Sequence, residues 1–218
     1  MILESICVGP MQVNCYILAS IVNSSAMIID PGDQEHKIRQ VLNKHKLKAA
    51  FIINTHGHFD HIGNDDNFGV PIYIHNLDLP LLRDSQLNLS GFFASPYNVK
   101  AQIKTLKDTD TVELDDIQLE VLHIPGHTPG GIALLMKRPE NKIVFTGDSL
   151  FCQGIGRTDL AGGNEALLLK GIREKLLTLA DDTVIYPGHG PSSTIGEEKR
   201  NNPFFNEQIT YGSSEGAT

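Results

Sequence analysis

Cysteine is scarce in this chain. There are three, Cys7, Cys15 and Cys152, an odd number at wide spacing with no CxxC pair. That excludes a disulfide framework and suits a reducing cytosol, with all three thiols inert in the core. Positive charge is also short. Lys and Arg number 18 against 26 Asp and Glu, a formal net charge of -8, so nucleic acid is excluded as the main partner. No apolar run is long enough to span a bilayer. The N-terminus, "MILESICVGP", lacks the basic region, apolar stretch and cleavage site of a leader. Low-complexity segments, short repeats and linkers are missing as well. The expectation is one cytoplasmic domain over residues 1–210, followed by a disordered tail over 211–218. Its partner is a small molecule, with neither nucleic acid nor membrane involved. Nothing in the sequence specifies an oligomeric state.

Strand and helix signals alternate along the chain. "MQVNCYILAS" and "SAMIIDPGD" predict a hairpin. "DQEHKIRQVLNKHKLK" predicts a helix, with Ile38, Val41 and Leu42 at helical spacing and its charges matched to the dipole. "AAFIINTH" and "VPIYIHN" read as short strands. Residues 85–100 show no clear period and read as a loop or a short helical piece. "VELDDIQLEVLHIPGHTPG" predicts a strand pair broken at Asp115 and Asp116, and "GIALLMK" and "KIVFTGDSL" two more strands. "NEALLLKGIREKLLTLA" is the clearest amphipathic helix, with Ala166, Leu169, Ile172, Leu176 and Leu177 on one stripe. "TVIYPGHGPS" closes the series, and the second half repeats the plan of the first. The pattern predicts an α/β fold with two sheets face to face and helices outside.

Four places share one layout. "FIINTHGHFDH", "LHIPGHTPG", "VFTGDSL" and "VIYPGHG" each run from an apolar strand into a Gly-rich turn bearing His or Asp. The strand ends bring these turns to one edge, and chance does not place four of them. No cysteine lies in any of the four, which argues against a closed thiolate zinc site. In an extended loop, alternate residues point the same way, so His56 and His58 can grip one ion. Asp60 shares that parity and His61 faces elsewhere. Seven ligands exceed the needs of one metal. His56, His58 and His127 make one site; Asp60, His61 and His189 make a second; Asp148 bridges them. These nitrogen and carboxylate donors suit two divalent ions, zinc first, with iron or manganese as alternatives. Neutral histidines and few carboxylates leave the centre positive, fit to stabilise an oxyanion. The ions lower the pKa of water to about 7 and supply hydroxide as the nucleophile, with Asp60 and Asp148 as the catalytic carboxylates. His36, His45 and His75 lie outside the turns and read as solvated or partly buried bystanders. His123 reads as a core residue.

The same residues carry a resemblance. "THGHFDH", with His127, Asp148 and His189, resembles the metallo-β-lactamase superfamily. "NCYIL", "IIDPGD", "FTGDSLF", "GIGRTDLAGG" and "PGHGPSSTIGEEKRNNPF" narrow it to the small glyoxalase II-like hydrolases and cover most of the chain. The resemblance implies the four-layer αβ/βα sandwich with its site at one edge, and thioester hydrolysis of the hydroxyacylglutathione type at a two-metal centre. It also implies that Asp30 orients a metal histidine, the alternative being a helix-capping turn residue. Arg157 and Asp159 of "GRTDL" are either a surface ion pair or parts of the site. On the second reading Arg157 holds a substrate carboxylate and Asp159 supports the centre from behind.

The departures bear on the substrate. The sequence ends soon after "NPFF", so the family's helical glutathione-binding domain is expected to be missing. "GHGPS" stands where the family has a tyrosine-bearing "GHEYT"-like stretch. Asn64 replaces a glycine of many relatives, an expected loop variation. Asn88-Leu89-Ser90 matches a glycosylation sequon that has no meaning without a secretory route. Three rival readings remain. A persulfide dioxygenase shares "GRTDL" and the ligands but uses one iron. A lactonase or β-lactamase is less consistent, since β-lactamases are normally exported and several carry a cysteine at the position of Asp148. A non-enzymatic metal-binding protein would load metal without turnover.

Overall fold

The structure is a computed structural model that describes residues 1–139 and 142–206. The first sheet holds β1 (Ile2–Val8), β2 (Val13–Ala19), β3 (Ser25–Ile29), β4 (Lys48–Ile53), β5 (Ile72–His75) and β6 (Ile103–Leu106), in that spatial order. Neighbours from β1 to β3 are antiparallel and from β3 to β6 parallel. Helix α1 (Glu35–Lys44) makes the crossover between β3 and β4. Short helices α2 (Phe59–Ile62), α3 (Leu79–Arg83) and α4 (Ser90–Phe93) occupy the loops after β4 and β5.

The second sheet is built from β7 (Thr111–Leu114), β8 (Ile117–His123), β9 (Ile132–Arg138), β10 (Ile143–Gly147), β13 (Val184–Pro187) and β14 (Ser193–Thr194), ordered β14-β13-β10-β9-β8-β7. A separate ribbon joins β11 (Leu150–Phe151) to β12 (Gly154–Ile155). Helices α5 (Glu165–Gly171) and α6 (Ile195–Asn201) cover this half. The second half does not repeat the first. Its strands β7 to β10 form an antiparallel meander and only β10 and β13 are parallel; a tight turn joins β7 to β8 and a loop without a helical crossover joins β8 to β9.

Alternation along the strands makes three apolar layers. In β2, Cys15 and Ile17 face the α1 side, where Ile38 and Leu42 pack on them. Tyr16 and Leu18 face the other way, into the space between the sheets, against Leu134, Met136 and Phe145. On the far side, Ala133, Val144 and Ile185 meet Leu168, Ile172, Leu176 and Ile195. Both faces of the central strands are therefore buried, which is why they read as unbroken apolar runs. The result is the predicted four-layer αβ/βα sandwich.

Several expectations need correction. β1 pairs with β2 over seven residues but was expected only to lack a leader; as an edge strand its two faces are unevenly covered and its period is weak. Cys15 is buried, and burial pushes its thiol up, whereas Cys7 is exposed on the edge strand and Cys152 is half-buried. In the second half's helix, Leu168, Ile172 and Leu176 face the core, while Ala166 is exposed. The backbone widens to a π-turn over Ile172–Leu176, which keeps residues four apart on one line instead of drifting round the helix. His75 is buried, its ring stacked on His123 at 3.9 Å. No helix among the described residues is long and apolar enough to cross a membrane. The expected tail, 211–218, lies outside the described residues.

Candidate metal centre

β4, β8, β10 and β13 all point their C-terminal ends to one edge. There the four Gly-rich turns meet, and all seven expected side chains come together. Three overlapping groups each have ligand atoms within 4.8 Å of one another: His56, His58 and His127; His56, His61 and Asp148; Asp60, His61 and His189. His58 Nδ1 lies 3.0 Å from His127 Nε2, which lies 3.3 Å from His56 Nε2. His61 Nε2 and His189 Nε2 are 3.4 Å apart. Asp148 stands between the groups. Its Oδ1 is 3.4 Å from His61 Nε2, and its Oδ2 is 3.5 Å from both His127 Nε2 and His189 Nε2. The extended loop ends at His58: Phe59 to Ile62 form a helical turn. That turn, not strand parity, swings Asp60 and His61 together toward His189, with Asp60 Oδ2 3.5 Å from His189 Nε2.

Three imidazoles, those of His56, His127 and His189, are held by a hydrogen-bonding group behind them, and His61 has a carboxylate at its back. His127 Nδ1–H donates to the Arg157 carbonyl at 2.8 Å, and His189 Nδ1–H to the Met11 carbonyl at 3.0 Å. Thr55 Oγ1 sits 3.2 Å from His56 Nδ1 and donates to Asp30 at 2.7 Å. Asp30 also accepts from Thr55 N at 2.8 Å and lies 3.0 Å from His61 Nδ1. It caps no helix, since Gln34 precedes α1. With their outer nitrogens occupied, these rings present the inner ones as lone-pair donors.

Burial and charge set the ionisation. Burial and the neighbouring imidazoles keep His56 far below the usual histidine range, and His58 is pushed down to about 3. Burial pushes His61 down too, but Asp148, Asp30 and Asp60 overcome it and raise it to about 10. Asp60 is held low: burial opposes its charge, and His61 and His189 outweigh that. The donor set fits divalent cations. Asp148 Oδ1 is buried without a hydrogen-bond partner, and the inward imidazole nitrogens crowd on one another and on Asp148. A cation satisfies both at once.

Two positioning residues have no counterpart in the sequence reading. The buried Asp78 accepts from Gly57 N at 3.0 Å, Thr128 Oγ1 at 2.7 Å and Gly130 N at 2.6 Å. It ties the "HGH" turn to the His127 turn. Asn14 of "NCYIL" ties β2 to the His189 turn: its backbone N–H donates to Gly188 at 2.8 Å and its side-chain amide to Pro187 at 3.0 Å and Gly190 at 2.8 Å. "NCYIL" had marked Asn14 only by resemblance, and nothing local marks Asp78. Close approach also governs Gly188, where a Cβ would fall 2.2 Å from Asp148 Oδ1. Asn64 has φ -112°, an ordinary backbone that needs no glycine, and its side chain accepts from Asn67 at 2.8 Å.

Arg157 and Asp159 sit at the rim. Both are exposed and pair through two contacts of 2.8 and 2.7 Å. Arg157 lines a cavity of about 660 Å³ over the donors, with His58, Asp60, His127, Asp148 and His189 at its base.

A model of the metallo-beta-lactamase superfamily matches residues 8–189. The hydroxyacylglutathione hydrolase GloC of Haemophilus influenzae is 39% identical over 213 residues, covering 94% of this chain and 99% of GloC. The crystal structure of the BLEG-1 B3 metallo-beta-lactamase superposes with a TM-score of 0.86 at 35% identity, over 94% of this chain and 99% of that one. That of TTHA1623 in a di-iron-bound form gives 0.78 at 33%, over 92% and 99%. Matches that run nearly end to end at such identity leave one placement: the chain belongs to the metallo-beta-lactamase superfamily and falls among its metallo-hydrolases.

Proposed function

We propose that the protein is a binuclear metal-dependent thioesterase. One observation carries the reading. Every titratable residue lining the cavity is either a metal donor or Arg157. Among the described lining residues there is no Ser, Cys or Lys to attack and no free carboxylic acid to protonate a leaving group. This lining favours water as the nucleophile and a leaving group that departs without a proton. A thiolate does so, since a free thiol has a pKa near 8.5; an amine or alkoxide would need its proton from water. His56, His58, His127, Asp60, His61, His189 and Asp148 would hold the divalent ions, which would supply a water of lowered pKa and polarise a carbonyl. The chain's own residues orient the donors, and Arg157 offers a cation to a carboxylate on the thiol. The 39% identity to GloC supports the same bond type. Gly190 and Pro191 put no aromatic side chain after His189, which supports a weak preference for glutathione itself.

The likeness to BLEG-1 favours β-lactam opening as a second reading. Elemental analysis of the freshly purified protein, with a thioester panel and a chromogenic cephalosporin, separates the two. Two ions per chain with thioester turnover are expected. One iron with oxygen uptake would replace the thioesterase by a dioxygenase, and cephalosporin turnover alone would replace it by a lactamase. Arg157→Ala should raise KM for carboxylate-bearing thioesters several-fold and leave kcat nearly unchanged, because the contact is made in ground and transition states alike. A loss in kcat alone would remove Arg157 from binding.

A further inference from the structure

A second chamber of about 350 Å³ adjoins the cavity over the donors. The two share Pro10, Met11, Phe59, Asp60 and Phe93 as a common wall. Beyond that wall the chamber is lined by Val8, Val13, Ala94 and Tyr97 among others. Phe59, inside the "HGHFDH" turn, stacks on Phe93 of α4 with centroids 6.3 Å apart and planes 21° from parallel. Phe93 remains 70% exposed, and its neighbour Phe92 66%. Aromatic surface left open beside a reacting centre is a ligand wall.

Charge divides the two ends. The chamber's charged lining residues are Asp33 and Asp60, with no Lys or Arg. The cation of the site, Arg157, lines the cavity over the donors and not the chamber, and its carbonyl holds His127. The chamber flanks Asp60, a member of the His61–His189 group; Arg157 flanks the His56–His58–His127 group. A carbonyl centred between the groups therefore sends one arm to an apolar, acidic-rimmed chamber and the other to a guanidinium.

Resting on the thioesterase reading, we infer that the substrate carries an extended apolar acyl group, a medium-chain alkyl or an aryl chain, laid over Phe59 and Phe93 into the Tyr97 chamber. The polar thiol arm leaves past Arg157. A carboxylate-bearing acyl arm is disfavoured by Asp33.

The test uses the metal-loaded full chain and one thiol acylated with acetyl, butanoyl, hexanoyl, octanoyl and benzoyl groups. kcat/KM should rise roughly threefold per methylene from acetyl to hexanoyl, as expected for progressive burial of CH2 groups, and then level off. Ala94 is exposed with an extended backbone, φ -145° and ψ -167°, so it accepts a large side chain. Ala94→Trp fills the chamber and should move the plateau to shorter chains. Phe93→Ala should lower the hexanoyl value about tenfold and the acetyl value far less. Equilibrium binding of straight-chain carboxylates, the product class, gives a readout independent of turnover. Affinity that grows with chain length, and ceases to grow in Ala94→Trp, supports the chamber; if thioesters then stand uncleaved, only the bond type is wrong. A flat acyl series with flat carboxylate binding overturns the inference while leaving thioester cleavage itself intact.

Discussion

Asp148 lies within 3.5 Å of three histidines drawn from both halves of the donor set, so its loss should exceed one ligand's share. Asp148→Ala is expected to drop metal content from two ions to one or fewer. His36→Ala, on the exposed face of α1, should match wild type. Equal metal in Asp148→Ala and wild type, by elemental analysis after dialysis, would end the bridging role. The ionisation of His61 has its own consequence. The metal-free site holds His61 protonated up to about pH 10, while His56 and His58 are neutral at pH 7.5. A ligand histidine must be neutral, so ion binding at pH 7.5 should expel the His61 proton, and affinity should weaken as pH falls. Calorimetric titration in buffers of different ionisation heat counts that proton. Asp30→Asn removes a carboxylate that raises His61 and should reduce the proton count; no release in the wild type would contradict the assignment.

At the scale of elements, the turns matter more than the strands that carry them. Asp78, in the short turn between β5 and α3, is the acceptor for three donors from two metal turns. Asp78→Ala leaves those buried donors unpaired, at about 1–3 kcal/mol each before relaxation. The urea midpoint should fall by an amount equivalent to roughly 3 kcal/mol, and metal affinity should fall though every ligand remains. An unchanged midpoint would reduce Asp78 to a bystander. The segment 85–100 is likewise a built wall. The buried Asn88 donates to Leu81 O at 3.0 Å and Tyr97 O at 2.8 Å, which closes it to glycosylation and seats Phe93 beside Phe59. Its irregular period concealed this, because its hydrogen bonds run within the loop rather than along a helix or strand.

For the whole molecule, the donor turns of both sheets meet at one edge, so ions bound there would act as a clasp between halves. Metal present at a thousandfold over its Kd contributes about 4 kcal/mol per site to the folded state. At roughly 2–4 °C per kcal/mol for a chain of this size, chelation should lower Tm by about 10 °C or more. A Tm that chelator leaves in place would separate the centre from folding.

What the sequence alone determined were the things written locally. Apolar runs ending in Gly-rich turns marked the strands buried on both faces, and the His and Asp in those turns named all seven donors that converge. Two sheets face to face with helices outside followed from the same alternation, and the αβ/βα layering from the resemblance. Other features were not local. β1 has no clean period because the edge of a sheet buries its faces unevenly. The buried stripe of the long helix, Leu168, Ile172 and Leu176, runs across a π-turn and packs in one cluster with Ile124 and Ile185. Asp60 and His61 form the expected group with His189, but through the helical turn at Phe59 rather than strand parity. Asp78 and Asn14 act on residues 21 to 176 positions away, and Phe93 meets Phe59 across a loop with no periodic signal. Contacts between segments so far apart carry no short-range pattern, so the tertiary structure alone decided how the donors are held and which wall the substrate meets.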